Sequence, residues 1–169
     1  MAENPFTSAA ADSAARPDRA AIARANPEII SGARWFWWIA GLSLVNSVLM
    51  HSGSDRSFVI GLGITQVADA IFEELKVVAF AIDGLVLGFF VLMGWLAGRG
   101  RLWAFVLGLV AYTGDALIYV LVGGWMSVAF HALALFYLFR GASQLRTAVK
   151  AAIEGPPVVA AEPPPAPGA

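Results

Sequence analysis

Apolar residues run together along this chain instead of recurring at the spacing of a soluble core. Val77 to Gly98 is interrupted by one charge, Asp83, and Leu102 to Leu121 by one charge, Asp115. Twenty helical residues reach about 30 Å, the thickness of a bilayer's hydrocarbon core, so each run predicts a membrane-spanning helix. Trp125 to Phe139 is a further run, short before Arg140, with the helix expected to continue through Gln144 and Arg146. Trp35 to Met50 is shorter than a standard span and borrows from its flanks. Asn26–Pro27 reads as an N-cap with proline at the first helical position, so this helix starts ahead of its apolar part.

One segment has a different pattern. In Phe58 to Lys76 the apolar positions Ile60, Ile64, Val67, Ile71 and Leu75 follow the helical period, while Gln66, Asp69 and Glu73 follow it on another face. That pattern predicts an amphipathic helix lying in the interface. Turn chemistry at His51 to Asp55, at Arg99-Gly-Arg101 and at Gly123–Gly124 separates the helices. The expected fold is therefore an all-α integral membrane protein. It has four transmembrane helices, about 35–51, 77–98, 102–121 and 124–140, and an interfacial helix at 58–76 on the outer face. Residues 27–153 form the membrane domain, between a disordered polar lead (1–26) and a disordered Pro/Ala-rich tail (154–169).

Charge settles the expected orientation. With four spans, Arg16, Arg19, Arg24, Arg34, Arg99, Arg101, Arg140, Arg146 and Lys150 share one side, and only Arg56 and Lys76 face the other. Positively charged loops stay in the cytoplasm, so both termini are expected there, in a bacterial inner membrane. A fifth span at Phe58 to Phe72 would turn the basic loop and the C-terminal tail outward. Tryptophan agrees: Trp35, Trp37, Trp38, Trp95 and Trp103 fall at the inner boundary and Trp125 at the outer one.

Composition narrows the chemistry. Hydrophobic residues make up 59% of the chain and charged ones 14%, against roughly 25% charged in soluble domains. With a net charge of −1 and no basic patch, nucleic acid is not an expected partner; the lipid bilayer is. Cysteine is absent, which excludes disulfides, thiolate metal sites and thiol relays. No cofactor is implied.

The polar residues inside the spans carry the functional question. Asn46, Asp83, Asp115 and His131 each fall roughly 7–11 Å below the outer boundary, one per span. Tyr112, Asp115 and Tyr119 share a face, as do Ser127 and His131, and Ser43, Asn46 and Ser47 cluster. Gly84 and Gly88, then Gly94 and Gly98, have the small-xxx-small spacing that permits close helix approach, within the bundle or in self-association. The plainest reading makes these polar groups interhelical hydrogen-bond glue, each contact averaging roughly 0.6 kcal/mol, in a non-enzymatic scaffold or accessory component. A second reading opens Asn46, Asp83, Asp115, His131, Tyr112 and Tyr119 to the outside as a pocket for proton-linked transport or a small ligand, because intramembrane ionisable groups are functional candidates by default. A third joins His51 to His131, Asp83 and Asp115 as a nitrogen/oxygen metal set in a membrane enzyme. Finally, Tyr112-Thr-Gly-Asp115 resembles the Gly-x-Gly-Asp signature of aspartyl intramembrane proteases, which would make Asp83 the second aspartate. Tyr112 replaces the first glycine, Asp83 lacks a preceding tyrosine, no Pro-Ala-Leu element follows, and four spans are fewer than that family uses.

Overall fold

The computed structural model describes residues 17–51, 62–71 and 75–155, and these are all-helical apart from turns and caps. Six helices follow one another: α1 (Arg19–Ala25), α2 (Pro27–His51), α3 (Gly63–Ile71), α4 (Lys76–Gly98), α5 (Leu102–Leu121) and α6 (Trp125–Glu154). Three of them, Val77–Gly98 within α4, then α5 and α6, are long and apolar enough to cross a membrane. Helix α2 has 25 residues, but Trp35, Trp37, Trp38 and Asn46 dilute its apolar character.

The helix ends have local causes. The Asn26 side-chain oxygen accepts from Glu28 N–H at 2.9 Å, capping α2 just ahead of Pro27. Asp18 does the same for α1, accepting from Ala20 and Ala21 N–H. Gly100 and Gly123 take φ of +74° and +72° in the two short turns, where a side chain would be strained. Residues 19–25, which the sequence places in a disordered lead, are thus a helix seated across the turn between α4 and α5. Residues 1–16 and 156–169, the remainder of the expected tails, lie outside the described residues.

The four long helices form an antiparallel bundle in which α2 packs chiefly on α4 and α6, and α5 chiefly on α6 and α4. At the α2–α6 crossing, Gly32 meets Gly141 backbone to backbone. Phe36, fully buried, lies against Gly108 and packs with Phe90 and Phe105, 6.3 and 5.9 Å between ring centroids. Trp37, Trp38, Trp95, Trp103 and Trp125 are about half exposed or more, and Arg99 stacks 3.4 Å over the Trp95 ring.

Helix α3 differs from expectation in position. Its described part covers 63–71 of the expected 58–76; residues 52–61 and 72–74 lie outside the described residues. It does not lie on the end of the bundle. Leu62 N–H donates to Ser43 Oγ at 3.1 Å, and Ser43 sits eight residues before the end of α2, about 12 Å of helix. Gly63 N–H donates to Asp115, six residues or about 9 Å from the end of α5. The helix therefore starts inside the bundle. Its apolar stripe faces outward, with Ile64, Val67 and Ile71 exposed, while Leu62 and Thr65 are buried.

Candidate functional site

Starting a helix inside a bundle creates a polar problem. The first N–H groups of a helix have no partner within it, and unsatisfied backbone at membrane depth costs several kcal/mol per group. Three side-chain oxygens from the long helices meet that demand: Ser43 Oγ accepts from Leu62 N–H, Asp115 Oδ2 from Gly63 N–H at 3.0 Å, and Asp115 Oδ1 from Ile64 N–H at 2.8 Å. Asp115, 4% exposed, is the N-terminal cap of α3, supplied from a different helix. Gln66 donates to the Tyr119 hydroxyl one turn further on, at 2.9 Å, and Thr65 Oγ1 closes back on the Leu62 carbonyl.

His131 completes the arrangement from α6. Its Nε2 lies 2.9 Å from Asp115 Oδ2 and its Nδ1 lies 2.7 Å from the Ser127 carbonyl oxygen. A carbonyl only accepts, so Nδ1 carries a proton. The Nε2–Oδ2 contact then holds one more proton, shared between an imidazole and a carboxyl group. The ring is fixed from both sides, stacked on Tyr112 (4.4 Å between centroids, 15° between planes) and tilted against Tyr119 (5.1 Å). Tyr112 in turn meets Phe90 edge-on, tying the polar layer to the aromatic core.

Of the residues the sequence singles out, the structure therefore gathers Asp115, His131, Tyr112 and Tyr119 around the N-terminus of α3. Asp83 belongs to a different group. It is buried, accepts from Ser47 Oγ at 2.7 Å, and makes no hydrogen bond to Asp115; among the described residues its Oδ1 has no partner. Asn46 is fully buried on α2 beside Ser47. Among the described residues the expected cluster thus divides by hydrogen bonding into two groups, Asp115 with α3 and His131 of α6, and Asp83 with Ser47 of α2. Backbone N–H groups of α3 are the donors that Asp115 meets. Among the described residues no three His, Asp or Glu side chains come together to hold a metal; Asp115 and His131 meet, Asp83 does not join them, and the His51 side chain lies outside the described part.

The small-residue pairs also divide. Gly94 packs on Phe36 and Trp37, and Gly98 faces Ala33, so both serve the α2–α4 contact. Gly84 and Gly88 have open space where a side chain would project, so among the described residues they face no neighbouring helix. Ser43 and Gly32–Gly141, which the sequence reading did not single out as partners of α3 and as a crossing point, are decisive in the structure.

Beside Asp115 a crevice of about 390 Å³ opens between α4 and α5, below Ile64 of α3. Its walls are apolar, with Val86, Phe89, Phe90 and Ile118, and Asp115 is its one charged lining residue. No protein-family model, no curated protein and no solved structure matches this chain.

Proposed function

We propose that this is a non-enzymatic integral membrane component: a four-span scaffold, termini cytoplasmic, whose intramembrane acids and histidine serve to hold a re-entrant half-helix. One observation carries the reading. Asp115 offers four acceptor positions, and three are engaged by Gly63 N–H, Ile64 N–H and His131, as expected of a structural cap. Helix α2 serves as the fourth span. Its 25 residues measure about 37 Å, it packs along both α4 and α6, and Leu44, Val45 and Val48 face outward. Nine of eleven basic residues then lie on the cytoplasmic side, which supports this orientation.

Two measurements test this. In a chain without native cysteine, a membrane-impermeant thiol reagent applied to intact cells should label Val122→Cys and leave Thr147→Cys unlabelled; the reverse pattern defeats the orientation. Reconstituted into vesicles under a pH gradient, the protein should carry no proton flux above empty vesicles. Flux that Asp115→Asn abolishes would overturn the structural role in favour of proton-linked transport.

The crevice favours a second reading, binding of a small lipophilic molecule with a hydrogen-bond donor at one end. The fourth acceptor position of Asp115 is open, and Gly114 leaves room beside it. A long-chain alcohol bearing a photoreactive diazirine should label Phe89 or Ile64, and Gly114→Leu, which fills the space without meeting any atom within 4 Å at its Cβ, should remove that labelling. Labelling unchanged by Gly114→Leu rules out the crevice as the binding place.

A further inference from the structure

At the opposite end of the bundle from α3, α1 forms one wall of a cavity of about 280 Å³ whose other walls are the α4–α5 turn and the last turns of α6. Three cations border it, Arg19 from α1 and Arg146 and Lys150 from α6, against one carboxylate, Glu154, a balance of 3 − 1 = +2. Glu154 is 3.6 Å from Lys150, and the Asp18 carboxylate is engaged on the α1 backbone, so neither neutralises the arginines. Among the described residues Arg19 and Arg146 take part in no ion pair. The interior between these charges is apolar, formed by Leu102, Leu145 and Val149.

The position of this cavity along the helix axis identifies what fits it. Gly100 in the α4–α5 turn and Leu102, the first residue of the apolar run of α5, line the cavity, which sets it at the inner edge of the hydrocarbon. Arg146 and Lys150 lie beyond Arg140, where the apolar run of α6 ends, and so fall outside the hydrocarbon. An apolar floor at the edge of the hydrocarbon, topped by three cations against one carboxylate, matches a molecule with acyl chains and a phosphate. Cations near an anionic leaflet each contribute to such binding, and basic pockets between helices on the cytoplasmic side hold acidic headgroups.

The placement of α1 supports this. A seven-residue helix contributes little burial of its own, with Ala23 its buried residue, yet it is clamped in place. Gly100, at φ +74°, lets the Arg19 backbone approach so closely that a side chain there would collide with the Arg19 carbonyl. That contact fixes Arg19 over the cavity.

We propose that this cavity is a binding site for an anionic phospholipid of the cytoplasmic leaflet, its phosphate held by Arg19, Arg146 and Lys150 and an acyl chain laid along Leu102, Leu145 and Val149. The leaflet assignment rests on the four-span orientation proposed above; the binding itself does not. The test is therefore done on the full chain in neutral detergent micelles, where orientation has no meaning. Phosphatidylglycerol added to the micelles should be retained in native mass spectra and should raise the melting temperature. Phosphatidylcholine and inorganic phosphate should do neither, which separates a lipid site from a phosphate site. Arg19→Gln with Arg146→Gln, both at exposed positions, should weaken phosphatidylglycerol retention about thirtyfold. Val149→Trp, which fills the floor and leaves every charge in place, should weaken it as well, and Arg34→Gln, outside the cavity, should not. Equal retention of phosphatidylcholine, a melting shift with phosphate alone, or undiminished retention in both cavity variants would each overturn the proposal.

Discussion

Asp115→Ala is expected to unfasten α3 and to lower the stability of the bundle by about 2–5 kcal/mol. Two magnitudes bound the figure. Interhelical hydrogen bonds in bilayers average about 0.6 kcal/mol, because separated helices find other partners, so the three bonds of Asp115 give a floor near 2. Removing one member of a buried, hydrogen-bonded pair costs about 3–5 kcal/mol, because the other is left uncompensated. The upper end applies here: the groups left behind are the N–H groups of Gly63 and Ile64 and the His131 ring, all inside the bundle. Asp115→Asn should cost less, because two of the three bonds can be kept. Its amide oxygen accepts from Ile64 N–H, and its NH₂ donates to His131 Nε2 while Nδ1–H stays on the Ser127 carbonyl; Gly63 N–H alone loses its acceptor. Thermal unfolding in detergent ranks the variants, and hydrogen exchange at residues 62–66 reports whether α3 is released. If alanine and asparagine destabilise equally, the one-proton bridge between Asp115 and His131 is wrong. If neither speeds exchange at Gly63 and Ile64, the cap is wrong.

The same residues show which parts of this structure are written in the chain and which are not. The long apolar runs gave α4, α5 and the start of α6 to within a residue, because length and hydrophobicity alone decide a span. The Asn26–Pro27 start of α2 was legible because capping is local chemistry. The pairing of Asp115 with His131 followed from placing each on its helix at a common depth. The start of α3 inside the bundle did not follow, since a helical period separates an apolar from a polar face but does not say whether the apolar face meets the bundle, the headgroups or the lipid core. A signal was present all the same. The spans carry two buried carboxyl groups, Asp83 and Asp115, with several acceptor positions each, and in a water-free interior the free N–H groups at the start of an interrupted helix are a ready source of donors for them. The division of the acids into two groups follows from that. Helix α1 was passed over because seven Ala- and Arg-rich residues have no apolar face long enough to read, although Asp18 at its start is a standard cap. Gly32 and Gly141 escaped because small-residue spacing is sought within one helix, and this contact takes a single glycine from each of two.

That contact is where the second large effect is expected. A Cβ at Gly32 would stand 2.8 Å from Gly141 Cα and 3.0 Å from the Tyr137 carbonyl oxygen, and one at Gly141 would stand 2.9 Å from Gly32 Cα. These neighbours are backbone atoms, which cannot rotate away as a side-chain end can, so α2 and α6 must move apart. Gly32→Ala should cost about 1–3 kcal/mol, the usual range for overpacking, and Gly32→Leu more, enough to separate the pair. The loss would spread along α2. The Trp35–Tyr137 stack, 4.8 Å between centroids, and the Arg140–Glu28 ion pair lie on the same interface, and Ser43 and Ser47 reach α3 and Asp83 from the same helix. Gly84→Ala and Gly88→Ala are the controls. A methyl group at either position meets nothing within 4 Å, and alanine is favoured over glycine inside a helix by about 0.5–1 kcal/mol, so both should match or exceed the native melting temperature. Unfolding in detergent distinguishes the two sets. A native-like melt for Gly32→Leu would disprove the α2–α6 crossing. A fall for Gly84→Ala as deep as that for Gly32→Ala would instead mean that the open glycines of α4 are covered in the assembled protein, where a second copy of the chain is the surface that their spacing fits.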